Sequence, residues 1–270
     1  MAMSMPRRAR SALPLCLSAV CGLLAAPASA EPRLVLVGGG TKPAEAMARF
    51  VQWAGGAKAR LLVIPWASAE AQASYDALRA DFAAYGPAAI EPSPLAPLTE
   101  AGRAELLDKL ARATGVFFGG GDQGRIMDVL RDETLLQAVR ARHRAGVVFG
   151  GTSAGTAVMS ARMITGEGDF TVVDGDKVEV RPGLALLPTG VIVDQHFIKR
   201  QRQNRLFGLV LKHPEERGVG IDEGAALLVQ GDEAEVVGGF VMLVDARPEP
   251  GTLLVTLVPP GRRIDLSRRP

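Results

Sequence analysis

Short, nearly continuous apolar runs alternate with longer segments of helical period along most of the chain. Four of the runs, "RLVLVGGG" (33–40), "ARLLVIPWAS" (59–68), "GVFFGGG" (115–121) and "GVVFGG" (146–151), lack the polar alternation of a half-exposed strand. Strands covered by helices on both faces have that composition, because neither face meets water. Between them, "KPAEAMARFVQWAG", "AEAQASYDALRADFAAYG", "TEAGRAELLDKLARA" and "QGRIMDVLRDETLLQAVRARHRAG" space their apolar residues three and four apart and predict helices. Strand and helix in alternation predict an α/β architecture with a mostly parallel central sheet flanked by helices.

Beyond residue 160 the pattern changes. "DFTVVDGDKVEVRPG" (169–183) holds Asp-Gly between alternating segments and predicts a hairpin. "TGVIVDQHF" then reads as a strand and "IKRQRQNRLFGLVLKHPE" as a helix, and residues 218–261 read as a strand-rich, antiparallel C-terminal part. No repeat or low-complexity linker interrupts residues 31–270, which are expected to form one α/β domain.

The first thirty residues follow a different logic. Arg7, Arg8 and Arg10 precede the apolar run "ALPLCLSAVCGLLAA", and Ala28-Ser29-Ala30 supplies small residues at a cleavage spacing. This is the pattern of a secretory signal peptide, so the mature chain is expected to start near Glu31 and to be secreted or periplasmic, with no membrane attachment after cleavage. A spanning anchor needs a longer apolar stretch than this one, which Pro14 and Pro27 interrupt. Setting the leader aside takes the formal charge from +2 to −1 and removes both cysteines, Cys16 and Cys21. A near-neutral chain gives no electrostatic ground for nucleic-acid binding. Without a thiol, any nucleophile must be an oxygen or an amine.

The candidate oxygen lies in "GGTSAG", residues 150–155, between a strand and a helix. Gly151-Thr152-Ser153-Ala154-Gly155 fits G-x-S-x-G, the turn that lifts a seryl oxygen above a sheet edge, and the amide of Ala154 can donate to an oxyanion. The competing reading is a serine that only caps the helix. Of the three histidines, His143 and His213 read as helix C-terminal residues, whereas His196 ends the strand "VIVDQ" at the edge where α/β sheets build sites. A third strand ends in "GGGDQG" (119–124), where the amide near Gly121 is a candidate second oxyanion donor, Asp122 a candidate N-cap and Gln123 a substrate contact.

Together "GGGDQ", "GGTSAGTAVMS" and "VDQHFIKRQRQNRL" resemble the cyanophycinases, serine peptidases of a family that also contains aspartyl dipeptidase. The resemblance implies a fold similar to class I glutamine amidotransferases, with serine in place of cysteine. It also implies cleavage of cyanophycin, a polyaspartate carrying arginine on each β-carboxyl, to β-Asp-Arg dipeptides. It assigns Ser153 as nucleophile and His196 as general base, and it marks Gln123, Asp194, Gln195, Arg200, Arg202 and Arg205 as lining the substrate pocket. Guanidinium groups suit a substrate rich in carboxyl-derived groups, although Arg200 and Arg202 cannot face the same way on a regular helix. The acid that orients the histidine is expected at Asp169, with Glu167 second. Glu223, counted with the substrate-binding positions, is the third candidate, and a buried structural carboxylate is the competing reading for it. No cofactor and no metal are expected, since three scattered histidines make no cluster. The alternatives are a related serine peptidase acting on aspartyl dipeptides or other acidic peptides, and a non-catalytic exported binding protein. The resemblance also admits a homodimer.

Overall fold

The computed structural model describes Met1 and residues 31–267, so the leader expected over residues 1–30, with Cys16 and Cys21, lies outside the described residues. Five strands form the parallel part of the main sheet: β1 (Arg33–Val37), β2 (Arg60–Ile64), β3 (Ala89–Pro92), β4 (Gly115–Phe118) and β5 (Val148–Thr152). They are connected through α1 (Ala44–Trp53), α2 (Ala71–Ala83), α3 (Glu100–Arg112), α4 (Gln123–Val129) and α5 (Glu133–Arg144). After β5 come α6 (Ala154–Ala157), β6 (Arg162–Gly168), β7 (Val178–Pro182), β8 (Val191–Gln195), α7 (Gln203–Lys212) and β9 (Arg217–Ile221). The chain ends with β10 (Ala226–Gln230), β11 (Glu233–Val237), β12 (Val241–Ala246), β13 (Leu253–Val258) and β14 (Arg263–Asp265).

The main sheet runs β14-β11-β10-β1-β5-β4-β2-β3, parallel from β1 to β3 and antiparallel from β1 outward through β10. A second sheet runs β13-β12-β9-β8, and β6 with β7 makes a ribbon. Alternate residues of each main-sheet strand build opposite layers, as the period of two requires. Val35, Val37, Val63 and Phe117 pack under α1 and α2 with Phe50 and Phe82, whose rings stand 5.1–5.3 Å from one another and from Phe117. Leu34, Leu36, Ile64 and Phe118 face the other way, into a cluster shared with α3, α5 and the inner face of the second sheet. The outer face of that second sheet, including Ile192 and Val244, is covered by Leu206, Leu209 and Val210 of α7.

Four sequence expectations change. The Asp174-Gly175 turn does not link strands on either side of it. Residues 175–177 form a 3₁₀ turn begun by Asp174, and β7 pairs with β6 further upstream. The long helical segment 123–146 is two helices, because Asp132 accepts hydrogen bonds from the amides of Thr134 and Leu135 and starts a new one. The segment "IKRQRQ" turns before α7 begins at Gln203. Finally, β8 and β9 pair in parallel inside the otherwise antiparallel C-terminal part. Edge strand β3 is too short and too polar to register as a period.

His143 lies in α5, 5% exposed, with its ring edge-on to Phe149 and no hydrogen-bond partner for Nε2 among the described residues. Burial, aided by the neighbouring Arg144 charge, lowers its pKa to about 4. Below the ordinary value of 6.5 the unfolded chain takes up a proton that the folded chain refuses, so stability is lost as pH falls from 6.5 towards 4. Urea midpoints measured across that window should drop, this residue contributing up to about 1.4 kcal/mol per pH unit. The variant His143→Leu should show a visibly shallower drop; parallel curves for the two proteins would contradict the assignment.

Candidate active site

The end of β5 turns sharply at Ser153, whose φ of 54° and ψ of −115° are strained for a residue with a side chain. Two glycines permit the turn. A Cβ on Gly151 would stand 2.2 Å from the Gly155 carbonyl, and one on Gly155 would stand 2.2 Å from the Phe118 carbonyl oxygen. The Ser153 amide donates to Val37 O at 3.0 Å, and the Thr156 hydroxyl lies 2.7 Å from the same oxygen and 2.8 Å from Gly151 O. The helix that follows is a single turn, shorter than the pattern predicts. Its first residue, Ala154, directly follows the serine.

His196 directly follows β8 with φ 47°, and its amide donates to Gly38 O at 2.8 Å. Its Nε2 stands 2.8 Å from Ser153 Oγ and its Nδ1 2.6 Å from Glu223 Oε1. With the hydroxyl donating to Nε2, the ring is the tautomer whose Nδ1–H donates to the carboxylate. Parallel register explains the meeting: Gln195 of β8 pairs with Ile221 of β9, so residues just past the two strand ends emerge side by side. Burial lowers the His196 pKa and the charges of Arg200 and Arg202 act in the same direction, against the opposing hydrogen bond and charge of Glu223. The imidazole is therefore neutral, and able to accept a proton, at neutral pH.

The carboxylate that meets His196 is not the one expected from the sequence. Asp169 is spent on its own turn, accepting from the Thr171 amide and hydroxyl, and Glu167 lies at the exposed end of β6. Only Glu223 among the three bonds to His196. The signal was present in the chain, since "GVGI" delivers Glu223 as "VIVDQ" delivers His196. The sequence reading also passed over the glycines after β1. A Cβ on Gly39 (φ 123°) would stand 2.2 Å from the imidazole, and one on Gly40 would stand 2.9 Å from Glu223 Oε2.

Around this trio the expected pocket residues divide. Asp194 and Arg205 are both fully buried and bonded to each other, Arg205 Nε to Asp194 Oδ2 at 2.7 Å, with the guanidinium over the Phe170 ring. They stand on the α7 side of β8, as Ile192 does, and support the site from behind. Arg202 donates to the carbonyl and side-chain oxygens of the buried Gln195 at 3.0 and 2.7 Å, and burial lowers its pKa to about 10. Gln123 is buried too, its amide donating to Ile164 O at 2.7 Å. Arg200 alone of the three arginines is exposed beside His196, in the turn before α7. Asp122 caps α4 through the Gly124 amide. Gly120 touches the serine, with its Cβ position 3.3 Å from Ser153 Cβ, whereas Gly121 (φ 138°) leans on Ala67 O; the peptide joining them flanks the nucleophile. The one group with metal-ligand spacing among the described residues, His213, Glu215 and Glu216, lies beyond the end of α7, and Glu216 is paired with Arg162.

The chain is similar to known peptidases in sequence and in fold. The profile of Peptidase family S51 matches residues 34–237. A cyanophycinase from Geminocystis herdmanii is 36% identical over 206 residues, covering 75% of each chain. Another, from Synechococcus elongatus, is 37% identical over 201 residues, which are 73% of this chain and 62% of that one. The crystal structure of a peptidase from an acI-B1 Actinobacterium shares the fold, with a TM-score of 0.69 and 22% identity over 88% of this chain and 98% of that one.

Three outcomes are expected of this arrangement. Glu223→Gln should lower kcat by about 10²–10⁴-fold, Asp169→Asn by less than about twofold. Because Glu223 holds the His196 pKa up, the rising limb of kcat/KM in Glu223→Gln should also move to lower pH, and in Arg200→Ala to higher pH. Limbs that coincide with wild type would remove His196 as the titrating base. Separately, Gly39→Ala should displace the imidazole and cost at least about 10²-fold in kcat, measured beside far-UV spectra showing an intact fold.

Proposed function

Because the chain belongs to peptidase family S51 and so is a serine-type peptidase, we propose that it hydrolyses cyanophycin to β-Asp-Arg dipeptides through Ser153, His196 and Glu223. The observation that carries the mechanism is the unbroken relay from Ser153 Oγ through the His196 ring to Glu223, at 2.8 and 2.6 Å. The cyanophycin substrate rests on the relatives, whose shared names are those of cyanophycinases.

In this reading Ser153 Oγ attacks the scissile carbonyl carbon while its proton passes to His196 Nε2. Glu223 stabilises the resulting imidazolium and fixes the ring's orientation. The carbonyl oxygen becomes an oxyanion held by the Ala154 amide and the amide of the Gly120–Gly121 peptide. Collapse breaks the C–N bond, and the departing amine takes the proton from Nε2. Water then attacks the acyl-serine, giving its proton to Nε2, and the serine is regenerated with the carboxylic product. Arg200, exposed beside His196, supplies the cation for a substrate carboxylate; Arg202, Gln195, Asp194 and Arg205 hold the loop that carries it. The leader pattern over residues 1–30 supports export, and no helix among the described residues is long and apolar enough to cross a membrane.

Purified protein incubated with insoluble cyanophycin should release soluble β-Asp-Arg, detected by chromatography, and Ser153→Ala should release none while keeping its thermal midpoint within a few degrees. EDTA should leave the rate unchanged. Cleavage of aspartyl dipeptides without any release from cyanophycin would move the assignment to the dipeptidase side of the family.

A further inference from the structure

The carboxyl edge of the parallel strands carries a second concavity that the chemistry at Ser153 does not use. It is a cavity of about 690 Å³ past the ends of β2 and β3. Its buried lining includes Trp66 and Leu135, and the Trp66 ring is fixed by its N–H, which donates to Pro94 O at 2.8 Å. Leu95, Glu70, Arg125 and Asp128 line it as exposed residues. The size falls within the range of organic-ligand sites, roughly 300–1,000 Å³.

What separates this cavity from the nucleophile is one loop. Gly120 touches Ser153, Gly121 presses on the Ala67 carbonyl, and the Asp122 amide donates to that same carbonyl at 2.9 Å. Ser68, the next residue, already lines the cavity. A chain whose scissile bond lies at Ser153 needs only to cross this glycine strip to enter it. The strip has no side chain on its Ser153-facing residue to block the passage.

The charge of the cavity selects its occupant. Arg103 is engaged by Asp132 and Asp128 by Arg131, Arg125 stands 3.9 Å from Asp122, and the exposed lining adds the carboxylate of Glu70 to these mixed charges. A ligand of one sign would be repelled by part of this lining. A chain whose every unit bears one guanidinium and one carboxylate on a short methylene stem meets charges of both signs and the exposed Leu95 side chain for the stems.

We propose that this cavity is a distal subsite that binds units of a mixed-charge arginyl-aspartyl polymer several residues away from the bond being cut. The inference rests on the cyanophycin reading above and adds to it a preference for long chains, since the dipeptide product is too short to occupy both places.

The test uses cyanophycin fractions graded by length, set against the shortest oligomer that the wild type cleaves. Ala71→Trp, placed in the cavity lining, should lower kcat/KM on long chains tenfold or more, mainly through KM, and leave the shortest oligomer within twofold. The single variant Glu70→Gln, at a carboxylate on the exposed lining, should give a length-selective loss of the same kind. Trp53 and Trp66 are the only tryptophans. In a Ser153→Ala, Trp53→Phe background, Trp66 emission should therefore shift on adding long chains and stay constant with β-Asp-Arg. Losses equal at both lengths, or absent at both, with constant Trp66 emission, overturn the subsite alone. A wild type that cuts no cyanophycin of any length sinks the substrate reading and the subsite with it.

Discussion

Three consecutive carbonyls at the end of β1 hold the whole site. Val37 O takes the Ser153 amide, Gly38 O takes the His196 amide, and Gly39 O takes the Gly224 amide just after Glu223. Each of these bonds is ordinary in strength, about 1 kcal/mol net. Their value lies in sharing one rigid strand end, so that Ser153, His196 and Glu223 are referenced to the same few atoms. The glycines follow from that requirement, since at Gly38, Gly39 and Gly40 a Cβ would collide with Asp222 O, the imidazole or the Glu223 carboxylate. Strain at Ser153 and His196, both at positive φ, is tolerated because the strand end fixes them from several directions.

Behind the site the fold uses buried charge as framework. Asp194 with Arg205, and Arg217 with Asp245, are ion pairs almost wholly out of water, each satisfied by two or more hydrogen bonds. Replacing such a pair with apolar groups would often be neutral for stability, but breaking it leaves a stranded charge. Here the first pair ties α7 to β8 directly beneath the residue that ends in His196. Asp222 does similar work at the surface, accepting from the Ile198 and Lys199 amides and so shaping the turn that presents Arg200.

The parallel strands were legible because a two-sided burial writes itself as an uninterrupted apolar run, and the serine because only small residues allow its turn. His196 was legible by elimination among three histidines. The acid was harder. Glu223 and His196 are neighbours only because β8 and β9 pair in parallel within a region whose composition reads as antiparallel, and no local pattern states which strands adjoin. Asp194 and Arg205 misled for a related reason. Alternation puts Asp194 and Gln195 on opposite sides of β8, but which side is covered depends on where α7, which carries Arg205, packs. The Gly38–Gly40 turn resembled any strand end until the residues it had to accommodate were in place.

The position of β1 has a consequence for when the enzyme comes into being. Val37 pairs with Ala226 on one side and Thr152 on the other, partners that lie far apart along the chain. Closing such contacts costs loop entropy before it returns any stability, which makes them late events in folding. A chain still emerging from the ribosome has its serine and histidine before it has the β9–β10 segment that carries Glu223 and completes the sheet. The arrangement of Ser153, His196 and Glu223 is thus tied to completion of the fold.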